Sequence, residues 1–561
     1  MEINILTFFL FYFLISFSVL GYGNLFIKNF SNYNHKINIG FTGIVGVFFL
    51  IIISIASHIF FKHGIMHNII ILIIGLFFFL KNINLYSNKD FKIFIITFLI
   101  LFIAILIKKN HDDFGYYHFP YTFYIIENSQ MVGIGKFVHG LRTPSSIFYL
   151  NSIFYLPLIK YYMFNIGALL IMGFANIIIL KRIESAFNSK DFNYLFIFNL
   201  LIFSFINIFF YRLAEHGTDK SAQILILLFV YEILYYINKK GAYKEFYSNS
   251  LVFLGLIISF KPFYILYLIF SIPIIIIIKK YNQTKKLNEI MMFKNIYFNF
   301  TCIIILFTIF LFFINTGCLV YPVAFTCFES FSWSIPIEQV KAMNNWYEQW
   351  SKAGAGPNFR VENPEIYIQN FNWVSHWVNE YFFNKVSDYL IGLFVLYLIF
   401  FMIFFKKMKK TKNELKFKNP NIKFIYLTIL LLFFEWFYNH PALRYGGYIL
   451  IFLLFSIPFS VYLEKFIKNL NYLQIYKKFK IIFSLVLLIF LTRNIDRISD
   501  ENKIYEKISL KNVSYLIDDT SFRVDKQIKN LKKKYYECEN NGVNCNILIK
   551  KESGMFVFPF K

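Results

Sequence analysis

The sequence predicts an all-α polytopic membrane protein, built as a bundle of about 13–14 transmembrane helices. Of the 561 residues, 57% are hydrophobic and 22% are aromatic, and the mean hydropathy is +0.53. Soluble proteins are roughly 45–50% apolar, so a soluble fold of this length could not bury so much apolar surface. The lysines behind the net charge of +25 gather in short loops between apolar runs. That placement is typical of cytoplasmic loops and argues against nucleic-acid binding.

Fourteen segments in succession are apolar enough to be read as membrane spans. One stretch, residues 251–278, is long for a single span and contains Lys261 and Pro262. Proline breaks a helix and a lysine inside the membrane is costly, so we expect two short helices that meet at a polar elbow. The predicted spans are 4–21, 41–61, 66–81, 90–107, 163–180, 192–211, 221–238, 249–260, 262–278, 296–315, 386–405, 422–438, 446–464 and 479–492.

Splitting that stretch places the lysine-rich loops on one side of the membrane. The loops near residues 239–244, 279–286, 406–418 and 465–480 then all face the cytoplasm, as the positive-inside rule requires. The predicted external segments are 108–162, 212–220, the elbow at Lys261, 316–385, 439–445 and a tail from about residue 494. We expect interfacial helices in segment 108–162, because it mixes aromatic residues with scattered polar ones. The tail is expected to form a small external α/β unit.

Two cysteine pairs and a group of tryptophans also lie in the predicted external segments. Cys318 and Cys327 share one loop, and Cys538 and Cys545 share the tail. Disulfides in an oxidising compartment would explain both pairs, although the spacing alone does not establish pairing. Loop 316–385 holds five of the six tryptophans, which are typical both of membrane interfaces and of sugar recognition. They are Trp333, Trp346, Trp350, Trp373 and Trp377.

Polar residues with possible chemistry gather at four places on the predicted external side. Each is a helix end or short turn: "KKNHDDFGYYHFPY" (108–121), "YRLAEHGTDKSAQ" (211–223), the Lys261 elbow and "NHPALRYGGY" (439–448). A charge at a helix end usually needs no functional explanation. Their common side is what makes them a candidate site. Its members are Asp112, Asp113, Tyr116, His118, Arg142, Arg212, Asp219, Lys261, Arg444 and Tyr445.

Three of these motifs resemble those of the GT-C superfamily of membrane glycosyltransferases, which includes protein O-mannosyltransferases and aminoarabinose transferases. "HDDFGYYH" is similar to the Asp-acid-x-x-Tyr motif of their first external loop. "LGLIISFKPFYILYLIFSIP" and "HPALRYGGYILIFLLFSIP" are similar to a later lysine–proline stretch and to a late Arg-Tyr segment. The resemblance covers roughly residues 90–385 as a catalytic module with external loops 108–162 and 316–385. Residues 1–89 would then add three N-terminal helices, 386–493 the C-terminal helices, and 494–561 an extracytoplasmic tail.

The resemblance implies a bacterial cytoplasmic (inner) membrane enzyme whose active site faces the extracytoplasmic side. It would move a sugar from a polyprenyl-phosphate donor to an unknown acceptor, in contact with membrane lipids. Asp112 matches the superfamily's catalytic base, and Asp113, where Glu is common, would orient a neighbour or the acceptor. Arg444, Lys261 and Arg142 are the expected phosphate-stabilising cations. Tyr116, His118, Arg212, Asp219 and Tyr445 complete the predicted substrate-binding set.

Other interpretations remain open at this point. His111, Asp112, Asp113 and His118 could hold a divalent cation, magnesium or manganese, although we assign no metal site or cofactor. A transporter or flippase of lipid-linked saccharides should carry functional ionisable groups at mid-membrane. Glu232 and Glu435 are the only acids clearly within the spans, and the sequence shows no partner for either. A polymerase or ligase of polysaccharide chains, and a non-catalytic assembly protein, are further alternatives.

Overall fold

The structure, a computed structural model, describes most of the chain and is almost entirely helical. The described residues are 4–30, 38–107, 113, 117–137, 139–213, 217–238, 243–280, 295–354, 363–405, 421–505, 550–552 and 555–557. The helices that follow the predicted spans are α1 (Ile5–Phe30), α2 (Ile39–Phe60), α3 (Ile65–Lys81), α4 (Asn88–Ile105), α8 (Ile166–Ser189), α9 (Tyr194–Phe209), α10 (Thr218–Asn238), α11 (Tyr243–Phe260), α12 (Ser271–Lys280), α13 (Ile296–Thr316), α17 (Ser387–Phe404), α18 (Ile422–Asn439), α19 (Gly447–Ile467) and α20 (Tyr472–Tyr505).

Shorter elements connect these helices. They are α5 (Phe119–Glu127), α6 (Ile134–Phe137), α7 (Ser146–Ser152), α14 (Ile337–Lys352), α15 (Pro364–Ile368), α16 (Val374–Trp377), a π-helix (Val378–Val386), six 3-10 helices in the described residues that include Pro262–Phe270 and Leu443–Tyr445, and strands β1 (Lys550–Glu552) and β2 (Met555–Val557). The two strands pair antiparallel.

A helix lies over each of the fourteen predicted segments, and the prediction of an all-α membrane protein is confirmed. Within the described ranges, eight helices are both long and apolar enough to cross a membrane, and four further apolar helices are shorter. Only helices and closed barrels satisfy every backbone polar group in lipid, which is why hydropathy locates these elements well. Helix ends are predicted less well: α1 runs to Phe30, nine residues past the predicted end.

The predicted break at Lys261 is confirmed. Helix α11 ends at Phe260, and Lys261 is extended, with φ −148° and ψ 102°. Pro262 then begins the 3-10 helix that leads into α12. Proline has no backbone N–H to continue the hydrogen bonding of α11. The side chain of Lys261 therefore stands at the junction of two short helices and not inside one long span.

The helices that the structure describes in segment 108–162 are packed inside the bundle, and their position relative to the membrane interface stays a prediction. All seven residues of α7 and eight of the nine in α5 are buried. Ser145 Oγ donates to the carbonyl of Phe260 at 2.7 Å, and Ser146 Oγ donates to Ser259 Oγ at 2.8 Å. The aromatic and polar residues of this segment thus pack inside the bundle and hold the elbow in place.

The three N-terminal helices pack against the rest of the bundle. Within this group α1 contacts both α2 and α3 through glycines, where backbones approach closely. At the end of α2, His58 Nδ1 lies 3.1 Å from Gln130 Oε1. His63 Nδ1 lies 2.7 Å from Ser152 Oγ. These contacts fix the end of α2 to the segment that supports the elbow.

Cys318 and Cys327 form a disulfide, as their spacing allowed. Cys538 and Cys545 lie outside the described residues. Helix α20 continues to Tyr505, so the first part of the predicted tail is helical and is a continuation of the last span. Beyond that helix only the hairpin of β1 and β2 is described, and the predicted α/β tail otherwise lies outside the described residues.

Candidate functional site

Four charged residues from distant parts of the chain meet at one place. Arg444 Nη2 lies 2.7 Å from Asp113 Oδ2, and Arg444 Nε lies 3.4 Å from Asp219 Oδ2. The second oxygen of Asp219 pairs with Lys261 Nζ. Asp113 follows α4, Asp219 lies in the first turn of α10, Lys261 is the elbow and Arg444 precedes α19. We call these four residues the charge cluster.

Tyr445 supplies the aromatic surface on which the two cations rest. Lys261 Nζ is 4.9 Å, and Arg444 Cζ 5.6 Å, from the centre of the Tyr445 ring. Trp350, near the end of α14, also lies close to Arg444, with 5.4 Å between Cζ and the ring centre. The rings of Trp350 and Tyr445 meet edge to face, with 6.1 Å between their centres. Cation–π contacts of this kind hold a guanidinium or an ammonium in a fixed position. The cluster is therefore an ordered arrangement of charges beside two aromatic rings.

The turn that carries Arg444 is held by side chains from several helices. Gln223 Nε2 donates to the carbonyl of Arg444 at 2.8 Å. The amide of Ala442 donates to Ser351 Oγ at 3.1 Å, and the amide of Leu443 donates to the hydroxyl of Tyr381 at 3.0 Å. The indoles of Trp436 and Trp377 donate to the carbonyls of Ala442 and Pro441. A backbone bound at this many points presents the guanidinium in one orientation.

Burial adjusts the pKa values of the groups around the cluster. Burial raises the pKa of Tyr445 to about 12, although the Arg444 guanidinium opposes that rise. The pKa of Tyr117 is raised well above its ordinary value by burial and then by the carboxylate of Asp113. Burial, helped by Lys352 and Lys261, lowers the pKa of His440 to about 4. At neutral pH all three groups are therefore uncharged, and the charge cluster supplies the ionised groups of this site.

The charge cluster sums to zero, because two carboxylates face two cations. Its side chains are about a quarter exposed or less: 26% for Arg444, 24% for Asp113, 20% for Lys261 and 16% for Asp219. Ion pairs at this burial are exchangeable, since an incoming anion can replace a carboxylate as the partner of a guanidinium. The arrangement can bind an anion and release a carboxylate in the same step.

The structure brings together five of the predicted site residues: Asp113, Asp219, Lys261, Arg444 and Tyr445. Three others make different contacts. Arg142 Nε donates to the carbonyl of Gly135 at 2.8 Å, and its Nη1 donates to the hydroxyl of Tyr321 at 3.3 Å. This arginine joins two of the segments that were predicted to be external, and its role at the phosphate stays a prediction.

Arg212 and His118 make different contacts. Arg212 is exposed and its Nε donates to the hydroxyl of Tyr211 at 3.3 Å. His118 is buried, with its ring centre 4.1 Å from that of Tyr117 and 5.2 Å from that of Phe148. Asp112, Tyr116 and His111 lie outside the described residues, so the predicted base and the proposed cation ligands are not located.

Three residues that adjoin the turn were not included in the predicted site: Gln223, Trp350 and His440. Gln223 and His440 lie in two of the quoted polar stretches, and that proximity was the signal that pointed to them. Trp350 was one of the five tryptophans noted in loop 316–385. Trp373 and Trp377 are buried against Phe437. Of these two, Trp377 contacts the turn directly, through the carbonyl of Pro441.

Glu232 does have a partner, which corrects the expectation from sequence. It pairs with Arg182, whose guanidinium also lies over the ring of Tyr231 at 4.0 Å. The side chain of Glu435 accepts a hydrogen bond from Asn439 at 3.2 Å. Because Arg182 directly follows Lys181, which pairs with Asp90 in the first turn of α4, this pair lies toward the helix ends opposite the cluster.

Two further features complete the description of the site. Within the part of the chain that the structure describes, no three His, Cys, Asp or Glu residues are grouped so as to hold a metal ion. A cavity of about 560 Å³ lies between residues 322–325 and the first half of α14, where Ile337, Lys341 and Asn344 line it. None of its lining residues belongs to the charge cluster, so the cavity and the cluster are separate features of the structure.

Comparison with known proteins identifies one family. The sequence matches a family described as a domain of unknown function (DUF8201) over residues 5–451. No curated protein and no solved structure matches the chain. The matched range includes the three N-terminal helices and ends after the turn that carries Arg444, so it contains the whole charge cluster. The chain belongs to the DUF8201 family.

Proposed function

We propose that this protein is a membrane glycosyltransferase of the GT-C type, which moves a sugar from a polyprenyl-phosphate donor to an extracytoplasmic acceptor. The observation that carries the proposal is the meeting of Asp113, Asp219, Lys261 and Arg444 at helix ends beside Tyr445. Apolar helices surround a small, ordered set of charges, and such a place suits a ligand with a lipid tail and a phosphate. The sequence motifs that resemble the superfamily contain Asp113, Lys261, Arg444 and Tyr445, whereas Asp219 lies outside them.

In this proposal Arg444 and Lys261 bind the donor phosphate. A guanidinium presents two parallel N–H groups that match phosphate oxygens, and an ammonium acts as a point charge. Phosphate would replace Asp113 as the partner of Arg444, while Asp219 remains paired with both Arg444 and Lys261 and keeps them in position. As the sugar leaves, negative charge collects on the phosphate oxygens. Fixed cations near a low-dielectric interface stabilise that charge.

Asp112 takes the role of general base, as the resemblance implies. An acceptor oxygen attacks the anomeric carbon, its proton passes to the Asp112 carboxylate, and the bond from carbon to phosphate oxygen breaks with its electrons on the phosphate. In this proposal Asp113 contacts Arg444 in the absence of substrate, and the neighbouring Asp112 takes the acceptor proton. The active site would face the extracytoplasmic side of a bacterial cytoplasmic membrane.

The test replaces Asp112 with Asn in membranes supplied with a polyprenyl-phosphate sugar. We expect transfer to fall about 100-fold or more, since general-base catalysis contributes roughly 10²–10⁴-fold. The matched control is Asp388→Asn, an exposed acid in the first turn of α17, which should leave transfer unchanged. Full transfer by the Asp112 variant at normal expression rejects the base assignment. Lost lipid-linked saccharide transport with intact transfer would favour a flippase instead.

A further inference from the structure

His440 packs against Tyr445, whose ring both cations of the charge cluster contact. The proposed mechanism gives His440 no role. It directly follows the last residue of α18. Its ring centre is 5.7 Å from that of Tyr445 and 5.5 Å from that of Phe263. Tyr445 is the ring on which Lys261 and Arg444 rest, and Phe263 follows the elbow.

The surroundings of the His440 side chain disfavour the protonated form of its imidazole. Its Nδ1 is buried and, in the described part of the chain, has no hydrogen-bond partner. An imidazolium would need an acceptor for each of its two N–H groups, and a buried donor without one is costly. Lys261 and Lys352 add electrostatic repulsion to that cost, and with burial they keep the pKa of His440 near 4. His440 is thus a neutral side chain close to the positive charges of Lys261 and Lys352.

The charged groups of the described residues around His440 come from the elements packed against it. Lys352, at the end of α14, pairs with Glu348, and the four residues of the charge cluster pair with one another. Glu435, on α18, accepts a hydrogen bond from Asn439. A dianion that binds at the cluster adds two negative charges near His440. Protonation of a nearby neutral base would offset part of that charge.

We propose that His440 takes up a proton when an anion binds at the charge cluster. The anion removes the electrostatic cost that Lys261 imposes on the imidazolium. The inference deepens the proposed function, on which it rests, because a phosphate leaving group would then depart beside a protonated histidine. A proton bound at this ring is available to a phosphate oxygen as negative charge develops there. The chemical requirement is a dianionic oxyanion, whether from a lipid headgroup or free in solution.

The experiment uses inorganic sulfate as the probe, because sulfate does not itself titrate between pH 5 and pH 7. Binding to the full-length protein in detergent is measured calorimetrically in two buffers with different ionisation enthalpies, which gives protons taken up per sulfate bound. One proton per anion corresponds to roughly tenfold in affinity for each pH unit. If the bound anion returns the His440 pKa to its ordinary range, sulfate affinity should rise roughly 10- to 20-fold from pH 7 to pH 5.

The variant His440→Asn should bind sulfate with little dependence on pH and without His-linked proton uptake. His139→Asn is the matched control, because burial and Arg142 also lower the pKa of His139 to about 4, yet its neighbours are not those of the cluster. That variant should keep the wild-type proton uptake. If His440→Asn folds poorly, His440→Gln and the two-buffer measurement on the wild-type protein still decide the question.

The outcomes separate this inference from the proposed function. Sulfate binding with the same proton uptake in wild-type protein and in His440→Asn overturns the inference and leaves the phosphate site standing. Equal loss of proton uptake in the His139 control also overturns it, since the effect would not be specific. Failure of the wild-type protein to bind sulfate or polyprenyl phosphate at all would remove the anion site on which the proposed function depends. Binding to free phosphate but not to polyprenyl phosphate would point to a soluble ligand.

Discussion

Arg444 joins two carboxylates through one planar guanidinium. Its Nη2 contacts Asp113 and its Nε faces Asp219, while the rings of Trp350 and Tyr445 lie beside the group. A lysine has one compact ammonium group and cannot present two fixed donors to separate partners. A lysine at position 444 would therefore keep the positive charge but would lose the simultaneous contacts with Asp113 and Asp219.

We expect Arg444→Lys to lower sugar transfer about 100-fold, since removal of one preorganised donor to a developing oxyanion costs roughly 10²–10³. The protein should still fold, because the backbone of the turn keeps its hydrogen bonds to Gln223, Ser351 and Tyr381. Transfer in purified membranes and melting temperature in detergent are the measurements. Arg493→Lys serves as the control, an exposed arginine that donates to the carbonyl of Ile208. Normal transfer by Arg444→Lys would contradict the phosphate assignment.

At the scale of elements, helix α1 packs against both of its neighbours through glycine. A Cβ added at Gly21 would lie 1.8 Å from the carbonyl oxygen of Gly75, and one added at Gly23 would lie 2.0 Å from the carbonyl oxygen of Thr42. Small residues let helix backbones approach in this way, and the close packing of their atoms replaces a hydrophobic driving force that lipid does not provide. These contacts determine the position of α2. The contact between His63, which follows α2, and Ser152 in α7 therefore depends on them.

Gly21→Ala should therefore push α1 away from α3 and lower the melting temperature in detergent. Overpacking of this kind typically costs about 1–3 kcal/mol. Gly64→Ala is the matched control, because a Cβ there meets nothing within 4 Å. Thermal unfolding followed by tryptophan fluorescence measures both variants. An unchanged melting temperature for Gly21→Ala, with Gly64→Ala equally stable, would mean that α1 and α3 do not approach as closely as described.

Across the whole molecule, ionised groups collect at two ends of the bundle. The charge cluster lies at one end, and Lys89, Asp90, Lys181, Arg182, Glu184 and Glu232 form ion pairs at the other. Asp219 and Glu232 are thirteen residues apart on α10, which corresponds to about 20 Å along the helix axis. The lysine-rich loops predict that the second end faces the cytoplasm.

A labelling experiment tests this orientation. Ser332→Cys, near the Cys318–Cys327 disulfide, and Ser189→Cys, at the opposite end of the bundle, both place a thiol at an exposed position. In a background that lacks Cys302, Cys538 and Cys545, a membrane-impermeant maleimide added to intact cells should label the first variant and not the second. Both should be labelled after the cells are opened. Reversed labelling would place the charge cluster on the cytoplasmic side and contradict an extracytoplasmic active site.

Hydropathy and proline placement were enough to predict the spans and the elbow, because lipid admits few backbone arrangements. The four polar stretches could be predicted to share a side, and five of their residues meet in the structure. The buried state of α5 and α7 could not be predicted, since mixed aromatic and polar residues suit an interface and a tight interior equally well. Gln223, Trp350 and His440 could not be assigned to the site, because their contacts depend on the tertiary path of the chain.

The turn at residues 441–445 also bears on how the protein is synthesised. Asp113, Asp219 and Lys261 leave the ribosome long before Arg444, so the charge cluster is complete only after most of the chain has been made. The backbone that positions Arg444 further requires Ser351, Tyr381 and Trp436, which also emerge late. The anion site that we propose can therefore form only once the late helices have been inserted.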